Sequence, residues 1–196
     1  MADAYAEIIE SNLNSFIAQS WDYKICPNFA SLVQTESNNK IIYGIITSIQ
    51  TSTTDPMHYP FTYKKTQEEL KIDNPEIFEF LKTIFTVNII GYKENNNNFI
   101  EYCTPPEPAL IHSFIENCNP EITQEIFLDK NNKFLNLLFL SEIQNIDELL
   151  INILKNLKNN NLISQKYMHN FCNKYSLLTN NDYKRLKLFL NRITEI

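Results

Sequence analysis

Lys40-Ile-Ile-Tyr-Gly-Ile-Ile-Thr-Ser-Ile-Gln50 is the stretch on which the fold turns. It is long and rich in β-branched residues. Two branches at Cβ stiffen χ1 and suit a side chain to a pleated strand. Gly44 interrupts the run and predicts a bulge or a sharp bend, as at a barrel corner. Asn38-Asn39 marks the turn before it, and Ala30-Ser-Leu-Val-Gln34 reads as a short strand before that turn. Further upstream, Ser15-Phe-Ile-Ala-Gln-Ser-Trp-Asp-Tyr23 mixes aromatic and polar residues like a half-buried strand. Residues 5–11 read as a short helix or a frayed lead.

Downstream, residues 55–63 are loop-like, with Pro56 and Pro60. Asn74-Pro75-Glu76 opens a short helix to about residue 82, with Asn74 as N-cap and Pro75 at the first helical position. Thr83-Ile-Phe-Thr-Val-Asn-Ile-Ile-Gly-Tyr92 is a second strong strand. The turn at 95–98 leads to Phe99-Ile-Glu-Tyr-Cys103, the expected hairpin partner. Thr104-Pro-Pro-Glu-Pro108 is expected to end the sheet, because proline supplies no ladder donor.

Beyond about residue 119 the period changes from two to 3.6. Residues 133–140 are expected to form a short apolar helix. From Asn145 onward, Ile146, Leu149, Leu150, Ile153, Leu154 and Leu157 make a wide amphipathic stripe. Helices are also expected over 162–178 and 182–196, the last with Tyr183, Leu186, Leu190 and Ile193 on one face. The fold class is therefore α+β. A small antiparallel β-barrel over 1–116 precedes a helical region of three or four helices over 117–196, packed on the barrel because its stripes need cover.

Of the 196 residues 43% are hydrophobic, 12% aromatic and 20% charged, which excludes intrinsic disorder. No apolar run reaches the ~18 residues that cross a bilayer. MADAYAEIIESN has neither the basic nor the apolar region of a signal peptide, so a cytoplasmic or organellar stroma location with no membrane contact is expected. Only Gly44 and Gly91 are glycine, against a usual ~7%. No G-x-x-x-x-G-K-[ST], G-x-G-x-x-G or G-x-S-x-G motif is present, which argues against nucleotide-hydrolysing, dinucleotide-binding and α/β-hydrolase chemistry. Asparagine is abundant instead. It tolerates the left-handed conformation better than other non-glycine residues, so 38–39, 95–98, 131–132, 159–161 and 180–181 read as turns.

The four cysteines, Cys26, Cys103, Cys118 and Cys172, form no C-x-x-C pair and are expected as free thiols. His169-x-x-Cys172 has ligand spacing on a helix but lacks the second pair a tetrahedral zinc needs. His58 and His112 have no motif partner. No metal and no other cofactor is expected. Charge divides along the chain. Residues 1–150 hold nine Lys/Arg and twenty-one Asp/Glu, a net −12; residues 151–196 hold eight Lys/Arg with Asp182 and Glu195, a net +6.

Ala30-Ser-Leu-Val-Gln34, Ile42-Tyr-Gly-Ile-Ile-Thr47, Val87-Asn-Ile-Ile-Gly-Tyr92 and Pro105-Pro-Glu-Pro108, in that order, resemble the HAS-barrel. This is the N-terminal barrel of HerA-type DNA-translocating ATPases and of rotary ATP synthase subunits. Tyr43-Gly-Ile-Ile46 is similar to its "YGIV" strand and Val87 to Tyr92 to its "VxxxGY" strand. The resemblance covers about residues 15–116 and is nearest to stand-alone barrel proteins with a helical C-terminus. It implies a barrel used for assembly or docking, with a HerA-like or other motor ATPase as a possible partner. No ATP-binding loop is present to carry the family's chemistry.

Three functions follow as expectations. The first is a non-enzymatic adaptor that docks a protein partner or itself. Its candidate residues are Tyr59, Phe61 and Tyr63 in the proline loop, unless these cap the barrel bottom, and Lys184, Arg185, Lys187 and Arg192 on the last helix. The second is single-stranded nucleic-acid binding, with Trp21, Tyr23, Tyr43 and Tyr92 as stacking platforms and the basic helix as phosphate contact. The −12 of the first half opposes it, and the basic helix has a rival use in neutralising the acidic barrel. The third is acid–base catalysis by Glu101, Glu107 and His112 near the proline-rich exit, or by Glu68, Glu69, Glu76 and Glu79. Exposed loop polar groups and helix-dipole carboxylates are the plainer readings of both sets. The first expectation is preferred, and no catalytic residue is assigned.

Overall fold

The computed structural model describes residues 4–55 and 62–194. Six antiparallel strands close a barrel in the order β1-β2-β5-β4-β3-β6. They are β1 (Ala6–Ser11), β2 (Ser15–Ser20), β3 (Leu32–Ser37), β4 (Lys40–Thr53), β5 (Leu81–Glu94) and β6 (Phe114–Asn117). The β4–β5 connection contains α1 (Gln67–Asp73) and a 3-10 turn (Pro75–Phe80). After the barrel come α2 (Pro120–Phe127), α3 (Phe134–Leu140), α4 (Ile146–Asn159), α5 (Gln165–Leu178) and α6 (Tyr183–Thr194). No helix among the described residues is long and apolar enough to cross a membrane.

The deciding stretch is buried on both sides. Ile42 and Ile46 point into the barrel beside Phe16, Phe85 and Val87. Tyr43 and Ile45 point outward, under the helices, beside Phe134, Leu138 and Leu150. That double burial is why Ile42 to Ile46 reads as an unbroken apolar run and not as an alternation. The expected irregularity at Gly44 is present as a register shift between Tyr43 and Gly44. Ile90 is the extra residue opposite, and it turns outward into the helical core.

Asparagine does the work expected of it. Six of the nine non-glycine residues with positive φ among the described residues are asparagines: 38, 39, 132, 161, 180 and 181. The stripe on α4 is likewise buried, from Leu149 to Leu157.

Several elements differ from expectation. Residues 5–11 are not a helical lead; Ala6–Ser11 is β1 and closes the barrel between β2 and β6. Its alternation is broken by a shift between Ile8 and Glu10, which pushes Ile9 outward. The proline-rich segment does not end the sheet, since β6 follows it. Residues 99–103 form no hairpin strand and meet β5 only at Tyr92 and Glu101. The expected helix after Asn74 is a 3-10 turn, and the Asn74 side chain does not cap it.

The helix before it, α1, carries a capping box in which Thr66 and Glu69 satisfy each other's backbone. Among the described residues five helices, not three or four, follow the barrel. The extra one, α2, starts at Asn119-Pro120-Glu121, the same pattern as Asn74-Pro75-Glu76, and here the asparagine does accept from the Ile122 N–H at 2.8 Å. On α6 Phe189, not Tyr183, faces the core; Tyr183 is 76% exposed.

Candidate interaction face

The helices cover the outer side of β3, β4 and β5, where Leu32, Tyr43, Ile45 and Ile90 join their core. Strands β1, β2 and β6 lie on the other side. Residue Glu7 of β1 stands opposite Gln19 of β2 and Phe114 of β6. The N–H of Trp21 donates to the Tyr5 carbonyl at 3.0 Å, which continues β2 by one step. The Trp21 and Phe114 rings then meet edge to face across β1, centroids 5.4 Å apart and planes at 88°. Both stay well exposed, Trp21 at 54%. Ile9, Leu110 and Ile111 add exposed apolar surface. The His112 and Glu7 side chains hydrogen-bond to each other within this region. Strands β1, β2, β3 and β6 carry no Lys or Arg, and they carry Glu7, Glu10, Glu36 and Glu116. The face is therefore apolar, aromatic at its centre and acidic around it.

Of the residues expected to bind a partner, Tyr59 and Phe61 lie outside the described residues. Tyr63 is exposed. The basic helix splits into two sides. Arg185 is spent inside the molecule: its Nε and Nη2 donate to the two Asp147 oxygens at 2.9 and 2.7 Å. The Tyr175 hydroxyl donates to the same carboxylate at 3.0 Å. Asp147 thereby raises the Arg185 pKa and, after burial, the Tyr175 pKa. Arg192 donates to Glu148 at 2.5 Å. Both acids sit in the first turn of α4, where carboxylates also favour the helix dipole. Lys184 and Lys187 remain exposed on the far side of α6.

This triad makes a stability prediction. Asp147→Asn removes the charge that Arg185 and Tyr175 share. The pair is only partly buried, so a loss of about 2 kcal/mol is expected, below the cost of breaking a fully buried pair. A urea titration reads it as a lower midpoint at unchanged slope.

Of the stacking candidates, Trp21 alone is well exposed. Tyr23 is half-buried and stacked on Phe78 at 6.1 Å. Tyr43 and Tyr92 are buried and offer no platform. Burial, with Cys118 and Glu125 nearby, pushes the Tyr43 phenol up to about 12. Tyr92 is pushed up to about 12 chiefly by the bond it donates to Glu101 at 3.0 Å.

Several of the acid–base candidates hydrogen-bond to separate partners. Glu101 takes Tyr92, Glu107 accepts from Asn38 at 3.0 Å, and His112 takes Glu7. Glu69 caps α1, and the Thr66 backbone and hydroxyl lower its pKa. His58 lies outside the described residues. His169 pairs with Asn173, and no group of three or more His, Cys, Asp or Glu among the described residues is placed to hold a metal.

A cleft of about 580 Å³ opens between the 25–32 segment, β6 and the end of α4. Its polar lining is amide and hydroxyl, from Asn28, Asn117, Asn156 and Thr123, with Cys118 as a half-buried thiol. Burial pushes Cys118 up to about 12, so little thiolate exists at neutral pH. A thiol count on the native chain is expected to find Cys26 and Cys103, both exposed, reacting fast, with Cys118 and Cys172 slow until denaturant is added. Four fast thiols would contradict this packing.

Phe114, Ile9, Leu110 and Ile111 are the members of the face that the sequence did not disclose. The one available signal was the out–in–out order Phe114, Ile115, Glu116, too short to separate from loop. No protein-family model matches the chain, and a comparison with curated proteins returns no match either.

Proposed function

We propose that this chain is a non-catalytic barrel module that works by docking a protein partner on the helix-free side of the barrel. The observation that carries the reading is the exposed Trp21–Phe114 pair, with Ile9 exposed on β1 and Leu110 and Ile111 exposed in the segment that leads into β6. Tryptophan and other aromatics held by a rigid sheet are the residues that dominate interface energetics, because they bury large area with little entropy to lose. The acidic surround disfavours a nucleic-acid phosphate chain there. On α6 the internal use of Arg185 and Arg192 weakens the phosphate-binding alternative further. The resemblance of the strands to the HAS-barrel suggests a HerA-like or other motor ATPase as one class of partner.

The test is affinity capture of the tagged full chain, wild type beside Trp21→Glu, at low and at high salt, with identification by mass spectrometry. The expected result is a protein that survives high salt and is lost with Trp21→Glu. Recovery of nucleic acid alone, released by salt and indifferent to Trp21→Glu, would overturn the reading.

A further inference from the structure

Helix α6 has two sides of opposite use. Its inner side is fixed by buried Phe189, stacked on Tyr175 at 4.3 Å, and by the Arg185–Asp147 and Arg192–Glu148 pairs. Its outer side presents Tyr183, Lys184, Lys187 and Leu188, at i, i+3 and i+4 spacings. Leu188 is 59% exposed. Lys184 and Lys187 pair with no carboxylate among the described residues. This is an amphipathic, basic-rimmed surface on a helix already held rigid, so little ordering entropy opposes its docking.

The helix-free barrel face is its complement: aromatic and apolar at the centre, with Glu7, Glu10, Glu36 and Glu116 around it. Within one molecule α6 packs on α4 and α5, away from β1, β2 and β6. The two faces therefore cannot satisfy each other in cis.

We propose that the occupant of the helix-free barrel face is the outer side of α6 from a second copy of this chain. The proposal rests on the docking reading above and names its partner. Charge sets the polarity of the contact. Barrel face on barrel face brings glutamates against glutamates, and α6 on α6 brings lysines against lysines. Only barrel face on α6 pairs unlike charge, in keeping with the −12 and +6 of the two parts of the chain. Such a contact is head-to-tail. Each copy keeps one free face of each kind, so association continues past the dimer until a ring closes or a filament grows.

The test is sedimentation velocity on the full chain over a wide concentration range, at low and high salt. Wild type is expected to form species larger than a dimer at both salts and to need a higher concentration for them at high salt, because salt screens the charged rim and leaves the apolar centre in place. Trp21→Glu, and separately the double change Lys184→Glu with Lys187→Glu, are each expected to weaken association at least about tenfold. All three positions are exposed, and unchanged circular dichroism and melting confirm an intact fold.

The decisive sample is an equimolar mixture of the two variants. Each retains the face the other lacks, so the mixture is expected to give a one-to-one dimer and nothing larger. A monomeric wild type at every concentration, variants that associate like wild type, or a mixture that stays monomeric would each overturn the proposal. A monomeric wild type whose capture still depends on Trp21 would overturn the second copy as occupant and leave the docking reading standing.

Discussion

Gly91→Ala is expected to destabilise the barrel by about 3 kcal/mol, which lowers the melting temperature by about 9 °C in a chain of this size. The cause is backbone, not rotamer. A Cβ on Gly91 would lie 2.6 Å from the Glu101 carbonyl oxygen and 3.4 Å from the Tyr102 Cα. No side chain there can swing away. The segment carrying Glu101 must retreat from β5. Retreat breaks the reciprocal backbone bonds between Tyr92 and Glu101, at 3.0 and 2.8 Å, and loosens the Tyr92–Glu101 side-chain bond. It also uncovers Ile100, which is buried in the helical core. Each lost bond is worth about 1 kcal/mol, and the φ of +158° adds strain for any residue with a Cβ. Thermal unfolding followed by circular dichroism measures the shift. A change of under about 1 kcal/mol would mean that the 99–103 segment yields freely and is no part of the barrel wall.

The same residue explains why so much of the barrel was legible. In a chain that places asparagine at its left-handed turns, glycine survives only where a side chain does not fit. A Cβ on Gly44 would likewise meet the Val87 Cγ1 at 2.4 Å. Two glycines in two β-branched runs therefore marked β4 and β5, and the asparagine pairs marked turns. What stayed hidden has a common cause. β1 carries Glu7 and Glu10 and a bulge at Ile9, so its alternation is blurred. β6 has four residues, and only its pairing with β1 and β3 makes it a strand. The Arg185–Asp147 bond joins residues 38 apart, a partnership no local pattern encodes. The basic helix was visible as charge, but which cations remain outside was decided by packing. The Trp21–Phe114 contact depends on β1 passing between them, and so it could not be read until β1 was known as a strand.

Phe134→Ala is expected to cost about 4 kcal/mol, the largest single effect among these substitutions. Helix α3 is seven residues long, too short to persist in water on its own, and six of them are apolar. It holds its place only by what it buries. The Phe134 side chain is fully buried and meets the Phe127 ring edge to face, centroids 5.2 Å apart. Its cluster also includes Tyr43, Ile45 and Ile90, the outward residues of β4 and β5. Truncation leaves a cavity at the seam between helices and barrel, where strands on one side and helices on the other resist collapse into it. A melting temperature about 12 °C lower is expected. The sole tryptophan, Trp21, lies on the barrel side away from this seam, so its fluorescence reports the barrel while ellipticity at helical wavelengths reports the rest. Because β4 and β5 contribute residues to both cores, the two signals are expected to fall together in the variant as in the wild type. If the Trp21 signal instead melts at the wild-type temperature while the helical signal is lost early, the two cores are energetically separate. The barrel would then keep its docking face after losing the helical layer.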